Sequence, residues 1–319
     1  MSKKVLANDG ISNSGVAKLE AAGYEVLTVN VAQEQLANYI NEHQISVLLV
    51  RSATTARKEL IDACPSLKII GRGGVGMDNI DVVYAREQGL QVINTPASSS
   101  GSVAELVFAH LYGGVRFLHD ANRNMPLEGE SNFGGLKKAY AKGTELRGKT
   151  LGIIGCGRIG QEVARIAVGA GMHVIANDDY MTEAPHVILN FFDGQTVTVA
   201  IPLVDKETLL KTADFITVHV PAQESYVLDT SDFQMMKKGA AVINAARGGV
   251  LNEVALVDAL DSEHLSFAAL DVFETEPKPE VQLLMNPKLS LTPHIGAATL
   301  EAQDRIGTEL AEQIITILG

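Results

Sequence analysis

Three short segments carry the residues whose types and spacing suit chemistry at a carbonyl carbon. Asn244-Ala245-Ala246-Arg247-Gly248-Gly249 offers an arginine. Asp271-Val272-Phe273-Glu274-Thr275-Glu276-Pro277 offers carboxylates, and Thr292-Pro293-His294-Ile295-Gly296 a histidine. Each follows an apolar run that reads as a strand, and open α/β sheets place ligands at strand exits. A guanidinium clamps a substrate carboxylate and polarises the neighbouring C2 oxygen. An imidazole moves the hydroxyl proton, and a carboxylate orients the imidazole and favours its charged form. Singly, each has a plainer reading: an arginine capping a loop, acids in a solvated turn, a histidine beside a proline. Together they are what hydride transfer at a carbonyl requires.

Such chemistry needs a dinucleotide, and residues 149–179 provide for one. The buried run Leu151–Ile154 enters Gly155-Cys156-Gly157-Arg158-Ile159-Gly160. A helical pattern follows, with Ile159, Val163, Ile166 and Ala167 on one face, and then a second apolar run, Met172–Ala176, that ends in acids. Gly155 lets the backbone turn off the strand, Gly157 lets a pyrophosphate approach the main chain, and Gly160 lets helix and strand pack closely. The helix N-terminus offers unpaired N–H groups and about half a positive charge. Asp178, 18 residues after Gly160, sits where an acid accepts from the adenosine ribose hydroxyls. A carboxylate there repels a 2′-phosphate, so the expected cofactor is NAD rather than NADP.

Two further stretches follow buried runs in the first third. Arg51-Ser52-Ala53-Thr54 and Gly71-Arg72-Gly73-Gly74-Val75-Gly76-Met77-Asp78-Asn79 combine arginine with side-chain-poor backbone. Bare amides in such a run form an anion nest, and Arg51 and Arg72 add charge for a carboxylate or phosphate. The plainer reading is a flexible turn with two surface arginines.

Residues 1–97 alternate apolar runs (4–7, 25–29, 47–50, 68–70 and 91–93) with helical patterns near 13–22, 32–42, 56–63 and 79–88, which implies a parallel sheet with helices on both faces. A long helix is expected from about Ser102 to Asp120, and residues 122–143, with Lys137-Lys138, read as a surface arm or loop. Residues 186–201 are two β-rich runs around Asp193-Gly194, a hairpin signal. Beyond it the pattern predicts helices near 206–212, 231–237 and 253–260, the last capped by Asn252, and a final helix over 299–318. Strands are expected at 215–220, 241–244, 266–270 and 289–291.

Composition excludes several classes. The 319 residues suggest about two domains, and 46% hydrophobic with 20% charged residues is ordinary for a globular chain with a large core. A net charge of −12 argues against nucleic acid or an anionic membrane as partner. No apolar run approaches a membrane span, and the N-terminus lacks a signal-type apolar region, so a cytoplasmic setting is expected. Cys64 and Cys156 show no metal or redox spacing and read as small reduced core residues. No metal is expected.

The motifs resemble those of the D-2-hydroxyacid dehydrogenases nearly end to end, and most closely the phosphoglycerate dehydrogenase branch. The resemblance rests on VRSAT at 50–54, GRGGVGMDNID at 71–81, NTP at 94–96, VAEL at 103–106 and ELRGKTLGIIGCGRIG at 145–160. It continues through ADFITVH at 213–219, NAARGG at 244–249, ALDVFETEP at 269–277 and PHIGAAT at 293–299. It implies two Rossmann-like doubly wound α/β domains. One is a flavodoxin-like substrate domain over 1–97 plus 295–319, and the other an NAD-binding Rossmann domain over 98–294 that dimerises. It implies that Arg247, Glu276 and His294 are catalytic, with Glu276 paired to His294. It places Arg51, Gly74, Val75 and Gly76 at the substrate, and Arg158, Ile159, Asp178, His219, Ala246 and Asp271 at the cofactor. The implied reaction is NAD-dependent oxidation of 3-phospho-D-glycerate, a step of serine synthesis. The alternatives are reduction of glyoxylate, hydroxypyruvate or D-lactate and, from another class, an NAD(H)-sensing corepressor-like binding protein. The chain departs from the family pattern at Ser99 and Asn252, in a shorter 125–143 loop without tryptophan, and in the 186–201 hairpin. With nothing after residue 319, serine feedback through a C-terminal effector domain is not expected.

Overall fold

The computed structural model describes residues 3–319. These divide into two compact units, residues up to 102 with 297–319, and residues 103–296.

The first unit is built on five parallel strands: β1 (Lys4–Ala7), β2 (Glu25–Leu27), β3 (Val47–Val50), β4 (Ile69–Arg72) and β5 (Gln91–Asn94). Their order is β2-β1-β3-β4-β5, the flavodoxin-like arrangement. Helices α1 (Asn13–Ala21), α2 (Gln33–His43), α3 (Lys58–Ala63) and α4 (Val82–Glu87) connect them. β3 is buried at every position, which is why it reads as an unbroken apolar run rather than an alternating one. The long helix that follows β5 is α5 (Ser100–Val115).

In the second unit α5 gives way to α6 (Leu118–Glu128), α7 (Phe133–Ala139) and a short 3₁₀ turn at Tyr140–Lys142. Two expectations need correcting here. The helix does not run on to Asp120, because Phe117 takes the left-handed conformation (φ 55°) and breaks it. Residues 122–143 are mostly helical rather than a loop. With no buried residue in α6, that segment lacks the apolar stripe by which a helix is recognised in sequence.

The main sheet comprises β6 (Thr150–Ile154), β7 (His173–Asn177), β10 (Phe215–Val218), β11 (Ala240–Asn244), β12 (Leu265–Leu270) and β13 (Leu289–Leu291). All pairings are parallel, in the order β13-β12-β11-β10-β6-β7. A parallel bridge from Leu203 to Ala176 of β7 takes the place of a further edge strand, which gives the Rossmann order 3-2-1-4-5-6 with β13 added at the far edge. Helices α8 (Arg158–Gly169), α9 (Lys206–Thr212), α10 (Thr230–Met235), α11 (Glu253–Asp261) and α12 (Val281–Met285) cover its faces. α13 (Leu300–Leu318) belongs to the first unit. Asn252 caps α11, its side chain accepting from the Ala255 amide. The predicted hairpin is present as antiparallel β8 (His186–Asn190) and β9 (Thr196–Ala200). Strand 25–29 is two residues shorter than its pattern suggests, and α12 has too few residues for its period to show.

Leu151 and Ile153 of β6 and Ile243 of β11 are fully buried in one core. Each such large side chain contributes roughly 1.5–3 kcal/mol, so the strand ends that carry polar residues are anchored by a rigid core. Both cysteines are buried and unpaired, and desolvation pushes each thiol up to about 11. Among the described residues no helix is long and apolar enough to cross a membrane.

Candidate active site

In the 103–296 unit the strand order reverses between β6 and β10, so a crevice opens beyond their C-terminal ends. Gly155 follows β6 with φ 87°, and a Cβ there would lie 2.5 Å from the carbonyl oxygen of His219, which follows β10. A Cβ on Gly160 would come within 2.3 Å of the Gly155 oxygen, so only glycine lets α8 start this close to the strand. Gly157, by contrast, has nothing within 4 Å of its Cβ position, and no side chain caps the helix that begins at Arg158. Open space thus lies over unpartnered helix amides, the cradle a pyrophosphate needs. Asp178 stands one residue beyond β7, its Oδ2 accepting from the Cys156 amide at 2.8 Å. The acid and the glycine turn are therefore directly joined. His219 donates or accepts with Thr217 Oγ1 through Nε2 at 2.9 Å, while its buried Nδ1 has no partner among the described residues. Desolvation pushes its pKa down to about 3, so the ring stays neutral. These features fit a dinucleotide.

Arg247, Glu276 and His294 come from three successive strand exits. Arg247 lies in a turn after β11 that Asn244 holds, its Nδ2 donating to the Arg247 oxygen at 2.9 Å and its Oδ1 accepting from the Ala246 amide at 3.0 Å. Arg247 is half-buried, and its Nη1 donates to the Ala246 oxygen at 2.7 Å. Gly248 is wedged against the next segment, for a Cβ there would lie 1.8 Å from the Phe273 oxygen. That contact packs the arginine turn against the segment carrying Glu276.

Glu276 is fixed at both oxygens. Oε1 accepts from the Phe273 amide at 3.1 Å, and Oε2 faces His294 Nδ1 at 2.9 Å. The pairing that the resemblance implies is thus formed. With Nδ1–H directed at the carboxylate, Nε2 carries the free lone pair, the arrangement of a general base. Glu274, also in this segment, exchanges amide hydrogen bonds with Glu253 at 3.1 and 2.8 Å, tying the segment to the start of α11. Burial, with Glu274 alongside, pushes the Glu253 carboxyl up.

His294 adopts φ 55°, the left-handed region that non-glycine residues visit at a cost of about 1–3 kcal/mol. Asp271 holds it there. Its carboxylate, 1% exposed, accepts from Thr292 Oγ1 at 2.6 Å and from the Ile295 and Gly296 amides at 2.8 Å each. Its carbonyl oxygen also accepts from the His294 amide at 2.8 Å. Asp271, read from the resemblance as a cofactor-lining residue, thus directs every side-chain hydrogen bond found for it at the histidine loop. Behind Thr292 stands His110 of α5, buried, with Nε2 3.1 Å from Thr292 Oγ1 and Nδ1 2.9 Å from Ser290 Oγ. Burial pushes its pKa down, so it too is a neutral structural ring. Sequence reasoning assigns no role to either Thr292 or His110. Thr292 lies within one of the three chosen segments, but His110 sits on an apolar helix face 180 residues from Ser290 and gives no local signal.

The first unit carries the other candidates. Its order reverses between β1 and β3, and there Asp9 gathers the Arg51 segment. Asp9 Oδ2 accepts from the Arg51 amide at 2.6 Å and the Thr54 amide at 3.1 Å. Asn79 Nδ2 donates to the oxygens of Arg51 and Thr54 at 2.8 and 2.6 Å, joining this loop to the glycine-rich one. Arg72 Nη1 donates to the Gly73 oxygen at 2.6 Å, and a Cβ on Gly74 (φ 149°) would meet that guanidinium at 2.0 Å. The Gly74 amide already donates to the Arg72 oxygen, so it is not part of an open nest. The Val75 and Gly76 amides bond to no backbone acceptor among the described residues.

Residues 108–296 match the model of the D-isomer specific 2-hydroxyacid dehydrogenase NAD binding domain. The chain belongs to the D-isomer specific 2-hydroxyacid dehydrogenases, and its cofactor is NAD. It is 41% identical over 300 residues to a hydroxypyruvate reductase of Thermotoga maritima, covering 92% of this chain and 91% of that one. It is 39% identical over 318 residues to a D-3-phosphoglycerate dehydrogenase of Methanocaldococcus jannaschii, covering 99% of this chain but only 57% of that one. The chain thus spans little more than half the length of this second relative. The solved structure of the TT0316 protein from Thermus thermophilus superposes with a TM-score of 0.83 at 29% identity, covering 99% and 96% of the two chains.

The position of Asp178 gives a first prediction. Asp178→Ser removes the carboxylate that opposes a 2′-phosphate, so the preference for NAD over NADP should fall by about tenfold or more, equivalent to ~1.4 kcal/mol. Steady-state KM values for the two cofactors check it, and an unchanged ratio would mean the ribose lies elsewhere.

Proposed function

We propose that the chain oxidises 3-phospho-D-glycerate to 3-phosphohydroxypyruvate with NAD. The observation that carries the chemistry is the 2.9 Å pairing of His294 Nδ1 with Glu276, which leaves Nε2 as the base. His294 takes the proton of the substrate's C2 hydroxyl as the carbonyl forms, and Glu276 stabilises the resulting imidazolium. Arg247 binds the substrate carboxylate and polarises the C2 oxygen. NAD, when bound, supplies the hydride acceptor. Val75 and Gly76 amides assist at the carboxylate, and Arg51 takes the phosphate. Assignment of Arg158, Ile159, His219 and Ala246 to the cofactor, a role in serine biosynthesis, a cytoplasmic setting and a homodimer through the 103–296 unit belong to the same proposal.

A second reading is favoured by one observation: the relative covered over 91% of its length is named a hydroxypyruvate reductase. Under it the same residues run the reaction towards the hydroxy acid, and the substrate carries no phosphate. An NADH-absorbance assay over phosphorylated and unphosphorylated 2-hydroxy and 2-keto acids separates the two. If the substrate is phosphorylated, Arg51→Ala should raise its KM by about ten- to a hundredfold and leave an unphosphorylated analogue nearly unaffected. Equal effects on both would remove the phosphate role.

A further inference from the structure

All six strands of the second unit's sheet are parallel, so their N-terminal ends share one edge, opposite the crevice. A cavity of about 480 Å³ lies on that edge. Lys149 precedes β6, Asp214 precedes β10, Lys237 and Lys238 precede β11, and Lys288 precedes β13, all of them lining it. With a strand of five residues between, the cavity stands about 16 Å from the glycine turn. It is therefore separate from the site described above.

Its charge runs against that of the molecule. Five lysines, the four above with Lys142, line it against two aspartates, in a chain whose net charge is −12. Both aspartates are already engaged. Asp214 accepts from the Thr150 amide at 2.8 Å and pairs with Lys237 at 3.1 Å; although burial pushes its carboxyl up, these partners hold it below its usual range. Asp120 accepts from the Tyr140 hydroxyl at 2.8 Å. Lys142 and Lys238 have no hydrogen-bond or ion-pair partner among the described residues. Three phenylalanines, Phe117, Phe215 and Phe267, add apolar walls. Gly114 lets Phe267 take that place, since a Cβ there would lie 2.1 Å from the ring. One polar group is buried and idle. His119 directs Nε2 at the Pro287 oxygen at 3.1 Å, which leaves Nδ1 buried with no partner among the described residues.

We propose that this cavity is a second ligand site, for a small phosphate-bearing anion with a ring or apolar portion. Its volume falls within the range that holds such molecules. Lys142 and Lys238 take the phosphate, and the phenylalanine walls take the ring. The cavity shares no residue with the substrate site proposed above, so the two stand or fall separately.

The probe is adenosine monophosphate, titrated calorimetrically into protein saturated with NADH so that the dinucleotide site is filled. Adenosine and inorganic pyrophosphate are parallel titrants. Adenosine monophosphate should bind about tenfold or more tightly than adenosine, and more weakly as salt rises. A double variant, Lys142→Glu with Lys238→Glu, should lose that binding by at least about tenfold while its NADH affinity and turnover stay unchanged. Lys142→Gln with Lys238→Gln, which introduces no repulsion, should lose it in smaller measure. Equal binding by wild type and both variants would overturn the proposal, as would equal affinity for adenosine. So would a concentration-dependent dimer that dissociates in the double variant while the wild type ignores the nucleotide, because a second copy would then fill the cavity.

Discussion

Replacing His294 with alanine should lower kcat by roughly 10²–10⁴-fold, the range over which a positioned general acid–base contributes. The fold should survive, because the ring is about half exposed and its one side-chain partner among the described residues is Glu276. Alanine also costs nothing in lost packing at an exposed site, although it inherits the same left-handed backbone, held by Asp271 through the loop amides rather than through the ring. NAD affinity should change little. The cofactor features, Gly157 and Asp178, sit at other strand exits and share no hydrogen bond with His294. Glu276→Gln tests the same pair more gently, keeping size and one acceptor while removing the charge that stabilises the imidazolium. Its loss should be smaller than that of His294→Ala, and the double variant should be little worse than His294→Ala alone, since residues acting as a unit do not add. Single-turnover rates with saturating NAD are the measurement. Full turnover in His294→Ala would remove the base assigned here.

How far the sequence reveals this site depends on how local each determinant is. Gly155, Gly157 and Gly160 fall within six residues of one another, so their pattern is visible in the chain itself even where the demands they answer reach further. The contact of Gly155 with the His219 oxygen shows why one of those demands is absolute. The Asp193-Gly194 hairpin and the Asn252 cap are local in the same way, and both are present. The pairing of Glu276 with His294 spans 18 residues, and reading it needs the resemblance to a family rather than spacing alone. Asp9, which organises the Arg51 loop across 42 residues, is invisible in the chain because an aspartate before glycine reads as a turn. His110 and Thr292, joined across 182 residues, carry no short-range trace at all. The helices of 118–139 are hidden for a different reason: they bury almost nothing of their own, so no apolar period marks them.

Arg247→Lys should reduce kcat/KM for the hydroxy acid by roughly 10²–10³-fold, nearly as much as loss of an oxyanion donor elsewhere costs, even though the charge is kept. The reason is geometric. A guanidinium presents its donors in a rigid plane and can hold a carboxylate while a further N–H faces the C2 oxygen; an ammonium is a point charge on a flexible stem. The turn that carries Arg247 is itself rigid. Asn244 bonds it from both sides, and Gly248 seats it against the Phe273 oxygen with no room for a Cβ. A lysine would therefore start from the same Cα but could not reproduce the fork. Arg247→Ala should be worse still, and the ordering Arg, Lys, Ala is the informative result. Equal losses for lysine and alanine would mean that charge contributes nothing, whereas a fully active lysine variant would mean that charge alone suffices. Gly248→Ala supplies the matching test of position. It keeps the guanidinium but forces the turn that carries it away from the Glu276 segment, so it should lower kcat and thermal stability together, whereas Arg247→Lys lowers activity with the melting temperature unchanged.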